Sequence, residues 1–386
     1  MSTILVIFSP RSRDTTGIAI GDTIKVLKLL NFRTILLICH KSSVHAVKSI
    51  APSTLFGGVR FFGVTLSGVI NKPSSGLFAS GLEFLIEQVV IAVSILRLAR
   101  NVKDVVFSHC LMPLPMLLAH ILNKSVLVYV GGPLIPGNPK SGLSRKIISI
   151  LSSIYYGLAK AILVVTPSLR TDPMLVKYIE KIYYAPVRIL DEEFFRKFSY
   201  SPPSRRENLV GFVSRLSWEK GIVDFVRSIP LILSKRNDVT FLIRGDGPSK
   251  DMVVNQIMSS EAKNHVSIIP WIDKIETCLK RMKLLILPSS SEGLPSVVLE
   301  AMACGTPVLV TPVPGLKGLL EDGKNAFLLS DTNMEYLAQR VLEVVQRSDL
   351  DDISRNAYQS LLDYYSTDQI VNTWKHVLKT VSRQLN

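Results

Sequence analysis

The sequence predicts an α/β protein of two Rossmann-like domains whose parallel sheets face a central cleft. Three observations carry this expectation. Short apolar runs recur at Thr3 to Phe8, Thr34 to Cys39, Asp104 to Phe107, Ser125 to Val130 and Ala161 to Thr166, with helix-like stretches between them. Runs apolar on both faces are strands of a parallel sheet covered by helices on both sides. A chain of 386 residues is long for one core and comfortable for two. A polar stretch, Ser199 to Asn208 (SYSPPSRREN), reads as a linker dividing residues 1–200 from 201–365.

In the first half, MSTILVIFSP has no charged leader region or cleavage site, so it reads as the first strand. The loop after it, PRSRDTTGIAIG, brings Gly17 to a helix start with Arg11 and Arg13 nearby. His109 in DVVFSHCLMP follows an apolar strand; a lone His there is often only a satisfied core group. Gly131 and Gly132 mark another strand-end loop. The apolar stretch Ile147 to Val165 approaches a membrane span in length, but Lys160 and Gly157 interrupt it, so it reads as a helix followed by a buried strand. The start of that helix, with Lys140, Arg145 and Lys146 beside Leu143, Ile147, Ile148, Tyr155 and Tyr156, reads either as a core helix or as an amphipathic surface element. Cys39, Cys110, Cys278 and Cys304 are isolated, which suggests reduced thiols in a cytoplasmic setting.

Charge divides unevenly. Residues 1–200 hold 23 Lys and Arg against 10 Asp and Glu, so +13 of the chain's +14 lies in the first half. That excess suggests an anionic partner or an anionic membrane surface, with general solubility as the plainer explanation. The basic residues are scattered, without an arginine-rich tract or zinc-finger spacing, so nucleic acid is not an expected partner.

The second half carries the chemistry. Leu209 to Pro230 reads as a strand, a polar loop with Arg215, Glu219 and Lys220, and a helix opening near Gly221. Two cations at a strand's end and a helix start describe a phosphate cradle, with Arg gripping two oxygens and Lys acting as a point charge. Phe241 to Pro248 (FLIRGDGP) is a strand running into a glycine turn at Gly245, without the full dinucleotide-binding spacing. Leu284 to Leu329 then reads as a strand, a Ser/Gly-rich loop carrying Glu292 and Gly293, a helix carrying Glu300, a cap at Gly305 and a second strand from Val308. The amides of such a helix start attract an anion. Taken alone, Glu292 is equally a solvated loop residue and Glu300 a helix-face charge; the upstream cations turn the reading towards a ligand.

These segments together resemble the family 4 (group 1) glycosyltransferases, retaining enzymes of the GT-B fold that move a sugar from a nucleotide-activated donor. The resemblance covers the second half and is looser in the first. Its most specific part is the family's pair of glutamates eight positions apart, here Glu292 and Glu300 in EGLPSVVLE. The resemblance implies that Glu292 contacts donor-sugar hydroxyls, Glu300 the ribose, and Arg215 and Lys220 the diphosphate. Gly293 and Leu294 would lie against sugar and phosphate, and the loop Ile269 to Ile272, which includes Trp271, would hold the base. Pro270 stands where the family often has Gly, which leaves base identity open. His109 matches the family's histidine facing the transferred sugar. Gly17 stands alone where the family usually pairs glycines, which puts the local acceptor geometry in doubt. Residues 366–386 would form a terminal helix crossing back to the first domain.

The expected reaction is transfer from a UDP- or GDP-type nucleotide sugar to an acceptor hydroxyl, in lipid-linked or cell-surface glycan synthesis or on a small-molecule acceptor. No cofactor is expected, and no divalent metal, because the cations and helix amides do the work a metal would do. A cytoplasmic protein, peripheral on the cytoplasmic face of a membrane, fits the basic first half. A GT-B sugar-nucleotide epimerase would keep the phosphate site without needing the glutamate pair. A non-catalytic, membrane-associated subunit of a glycosylation complex would lose the cations or glutamates, and all four are present.

Overall fold

The computed structural model describes residues 3–8, 16–32, 34–40, 44, 48, 57–64, 77–98, 102–108, 111–131, 142–166, 169–170, 172–271, 274–290, 292 and 294–383. The chain divides into two compact units, residues 1–189 with 368–386 and residues 190–367.

The first unit holds a seven-stranded parallel sheet in the order β3-β2-β1-β4-β5-β6-β7. Its strands are β1 (Thr3–Phe8), β2 (Thr34–His40), β3 (Val59–Val64), β4 (Asp104–Ser108), β5 (Ser125–Val130), β6 (Ala161–Val164) and β7 (Ile182–Tyr184). The five strands expected from apolar runs all form, within two residues at each end. β3 was not legible in this way because Arg60 and Gly63 break its apolar run, and β7 because it spans only three residues. The central strands are buried on both faces, as a sheet flanked by two helix layers requires. The helix Gly142–Leu158 followed by β6 replaces any reading of that stretch as a span. Its Tyr155 and Tyr156 are buried, packing edge to face against each other, with Phe107 beyond Tyr155. The final helix, Thr367–Arg383, is fixed to this unit by Trp374, whose Nε1 donates to Pro186 O at 2.7 Å.

The second unit holds a six-stranded parallel sheet in the order β10-β9-β8-β11-β12-β13. The strands are β8 (Leu209–Val213), β9 (Thr240–Arg244), β10 (Val266–Ile269), β11 (Leu284–Leu287), β12 (Val308–Val310) and β13 (Phe327–Leu328). Phe225 stacks on Phe212 and meets Phe241 edge to face, which seats the helix Ile222–Leu233 on β8 and β9. Strand order reverses between β8 and β11. In open parallel sheets, ligands settle at the carboxyl ends of the strands at such a reversal.

The stretch Ser199 to Asn208 is not a slack linker. Arg206 folds inward and donates to the carbonyls of Ser201, Leu279, Met282 and Cys304 and to the hydroxyls of Ser201 and Thr306. Burial pushes its guanidinium down to about 10, and the six acceptors are shared by its two terminal nitrogens, Nε alone of the group having no partner in the protein. The polar composition that reads as a linker is here the supply of hydrogen bonds that staples this segment to the second unit.

Candidate functional site

The site is assembled from the loops that leave β8, β9, β10 and β11. After Val213 the chain turns outward. Ser214 N donates to Arg244 O, Leu216 N to Asp246 O and Ser249 N to Leu216 O, so the loops after β8 and β9 are laced together by backbone. Close approach demands glycine there: a Cβ on Gly245 would sit 2.0 Å from Ser214 O. A single tight turn, Trp218–Lys220, then leads into Gly221, whose φ of +74° is the left-handed conformation that opens the next helix. A Cβ at Gly221 would lie 2.4 Å from Pro288 O, at the end of β11. The loops after β8 and β11 therefore touch through this glycine, and Ser290 N adds a bond of 2.9 Å to Glu219 O.

This contact delivers Lys220 to Glu292. Lys220 Nζ and Glu292 Oε1 are 2.5 Å apart, with side-chain exposures of 16% and 15%. Ser289 Oγ donates to the same Glu292 oxygen at 3.1 Å. Arg215 is paired too, its Nη2 lying 2.5 Å from Glu219 Oε1. Ser217 Oγ also donates to that carboxylate, and this bond, with the Arg215 pairing, holds the Glu219 carboxyl below its ordinary range. The sequence suggested two cations standing ready for phosphate; the structure gives each a carboxylate partner. A lysine ammonium has three donors and an arginine five, so both keep N–H groups to offer an anion while their positions are fixed. Arg215 is well exposed and Lys220 is not, so Lys220 is the more rigidly placed charge.

On the other side, Ile269 is the last residue of β10 rather than part of a loop, and its carbonyl accepts from Gly245 N at 3.3 Å. Trp271, two residues on, exposes 59% of its surface. Beneath it lies a residue that sequence reading passed over. Arg244 ends β9 fully buried, its guanidinium carbon 5.7 Å from the Trp271 ring centroid. Its Nη1 approaches Cys278 Sγ at 3.6 Å, while Nε and Nη2 have no hydrogen-bond partner in the protein. The legible signal was a charged residue closing an apolar strand directly before the glycine turn, FLIR-GDG.

Pro295 precedes the helix Ser296–Ala303, and no side chain caps its start, so its first amides face out of the helix end. Leu294 lies just before that start and Glu300 in its second turn. Arg215, Lys220, Gly245, Ile269, Trp271, Glu292, Leu294 and Glu300 thus all belong to the second unit. Gly17 lies in the first unit, in the opening turn of the helix Thr16–Leu29. His109, directly after β4, and Gly293 lie outside the described residues, as do Arg11, Arg13, Cys110 and Gly132. One sequence, Asp349-Leu350-Asp351, has the Asp-x-Asp form found in metal-dependent sugar transferases. Its carboxylates are engaged elsewhere: Asp349 pairs with Arg347, and Asp351 accepts from both the amide and the hydroxyl of Ser204.

Residues 194–360 match the family model described as glycosyl transferases group 1. The chain is 27% identical over 176 residues to the poly(ribitol-phosphate) α-N-acetylglucosaminyltransferase of Staphylococcus aureus (strain COL), covering 45% of this chain and 36% of that protein. It is 23% identical over 181 residues to the N-acetyl-α-D-glucosaminyl L-malate synthase of Bacillus anthracis, covering 47% of each. The match therefore spans less than half the length of these curated relatives. Across nearly the whole chain the fold is that of Anabaena Alr3699/HepE, solved in complex with UDP, at a TM-score of 0.73 and 17% identity, covering 98% of this chain and 100% of that one. Two parallel-sheet Rossmann-like domains in this arrangement of elements are the GT-B fold.

Proposed function

We propose that this chain, whose residues 194–360 match the group 1 glycosyltransferase family model, transfers a sugar from a nucleotide-sugar donor to an acceptor hydroxyl with retention of anomeric configuration. The observation that carries the reading is the Lys220–Glu292 pair, set where strand order reverses between β8 and β11 and beside the uncapped start of the helix Ser296–Ala303. A half-buried ammonium, an exposed guanidinium and free helix amides would serve one anion together, and a diphosphate is the anion that would use all three. Uracil is the base favoured, since a structural relative of matching length was solved with UDP.

In the reaction, the bond between the anomeric carbon and the diphosphate oxygen breaks and a bond to the acceptor oxygen forms on the same face. The acceptor's proton passes to the departing diphosphate. Negative charge grows on that diphosphate, and Lys220, Arg215 and the helix amides stabilise it without having to reorganise, because Glu292 and Glu219 already hold the two cations in place. Glu292 has a free oxygen, Oε2, for a donor-sugar hydroxyl, and acts as ligand and positioner rather than as covalent nucleophile. Glu300 takes the ribose, Trp271 the base, and Gly245, Ile269, Gly293 and Leu294 the walls of the donor site; by the family resemblance His109 would face the transferred sugar and Gly17 the donor phosphate and acceptor. The acceptor is a lipid-linked or cell-surface glycan precursor, consistent with the +13 of residues 1–200.

The test is turnover of UDP- and GDP-sugars by the purified protein, read as nucleoside diphosphate released in the presence of lipid-linked and free-sugar acceptors, with the product's anomeric configuration assigned by proton NMR. An acceptor-dependent, configuration-retaining product supports the reading. An inverted product removes the retaining assignment. Interconversion of the donor sugar without transfer makes the protein an epimerase, and no turnover despite nucleotide binding makes it a non-catalytic subunit.

A further inference from the structure

Three helices of the first unit lie side by side: Leu77–Leu98 packs along Pro113–Ile121, which packs along Gly142–Leu158. They are the crossovers from β3 to β4, β4 to β5 and β5 to β6. Right-handed crossovers running in one direction place all three on the same face of the sheet. Each should be polar on its outward side. They are not. Leu85, Val89, Val93 and Leu96 form one exposed stripe, opposite the buried Glu87, Ile91 and Ile95 of the same helix. Leu114, Leu117 and Ile121 form a second stripe, opposite the buried Met116 and Ala119. Ile150 and Ile154 continue it on the third helix, and Val176 and Ile179 extend it on the turn Val176–Lys181, which is tied to that helix by Tyr178 Oη donating to Ser153 O. Of the nineteen exposed large hydrophobic side chains among the described residues, eleven lie here, so the apolar surface is concentrated and not scattered.

We propose that this three-helix face docks on an anionic lipid bilayer. Charge selects the occupant. Arg97, Lys146, Lys177 and Lys181 border the stripes, while Glu180 is the one exposed carboxylate among those residues of these segments whose side chains are described. Two copies joined face to face would bring cation against cation. The exposed large side chains are all Leu, Ile or Val, whereas protein interfaces centre on Trp, Tyr and Arg anchors. A bilayer asks only for apolar area rimmed by cations. Among the described residues no helix is long and apolar enough to cross a membrane, so the contact is one of surface insertion.

The experiment is co-sedimentation of the full chain with vesicles of phosphatidylcholine alone and of phosphatidylcholine mixed equally with phosphatidylglycerol. Binding to the anionic vesicles should exceed binding to the neutral ones by about tenfold or more, the effect of two or so cations near a charged surface. The double substitution Val89→Asp and Leu117→Asp should reduce binding by about tenfold or more, while Met258→Asp, at a still more exposed site in the second unit, should leave it unchanged. Melting curves accompany each variant, and if the double variant melts early, Ile121→Asp at a helix end carries the same test. Absence of vesicle binding, or equal binding by the folded variants, overturns the proposal. So does a lipid-free dimer that the double substitution dissociates, which would make a second copy the occupant. Because the readout is partition and not turnover, its failure leaves the transfer reading untouched.

Discussion

Lys220 and Glu292 lie 72 positions apart in sequence and 2.5 Å apart in space, joining the loop after β8 to the loop after β11. The pair does two things at once. It joins two loops of the second unit at the point where its strand order reverses, and it ties an ammonium to a carboxylate that stands four positions before an uncapped helix start. Glycine at position 221 makes the approach feasible, since no side chain fits between the two loops there.

Glu292→Gln keeps the shape of this side chain and removes its charge. Turnover should fall about a hundredfold or more, the size of effect seen when one preorganised charge stabiliser is lost. Stability should fall by only about 1–3 kcal/mol, the worth of one charged hydrogen bond. Steady-state kinetics and a urea melt on the same preparation separate the two effects.

Gly221→Ala meets both a positive φ and a carbonyl oxygen at 2.4 Å. The left-handed backbone alone costs about 1–3 kcal/mol, and relief of the clash must part the loops after β8 and β11. Nucleotide affinity should therefore fall together with the urea midpoint, which equilibrium titration of the variant checks.

Arg206→Met leaves acceptors from three segments without their shared donor. The expected loss is about 3–5 kcal/mol of stability, read as a lowered urea midpoint. Arg206→Lys should recover little of it, because a point charge cannot span the fork of acceptors.

Acid should destabilise the fold. Glu219, Asp246 and Asp349 are held below the ordinary carboxylate range, first of all by hydrogen bonds from Ser217, Lys250 and Arg347 respectively, and Asp238 is held at about 2 by Arg236. Carboxyls with lowered folded values give stability that is complete above the unfolded range, about 4, and is lost as pH falls through the folded values. The melting temperature should stay level from neutral pH to about 5 and drop below about 4. A melting temperature that rose on acidification would contradict these pairings.

The sequence made the fold legible where apolar runs were long and uninterrupted, as in β1, β2, β4 and β5. It did not where an edge strand was short, as in β7, or where Arg60 interrupted β3. At the site, residue types and spacing pointed to Arg215, Lys220, Glu292 and Glu300, because chemistry concentrates at strand ends followed by helices. The pairing of Lys220 with Glu292 and of Arg215 with Glu219 was not legible, since it depends on which two loops a sheet brings together. Arg206 was hidden by its setting: a Pro/Ser-rich stretch looks the same whether its polar groups face water or buried carbonyls. The apolar outer face of the helices Leu77–Leu98 and Pro113–Ile121 was equally hidden, because a helix apolar on both sides reads as an ordinary buried one.

The central claim is that a nucleoside diphosphate binds where Lys220 meets Glu292. Isothermal titration of UDP, GDP and ADP into the wild-type protein and Lys220→Gln tests it most directly. One of the three should bind, UDP first among them, and Lys220→Gln should weaken it by about tenfold to a hundredfold while the folded melt persists. Failure of all three to bind the folded protein, or equal affinity in the variant, would contradict it.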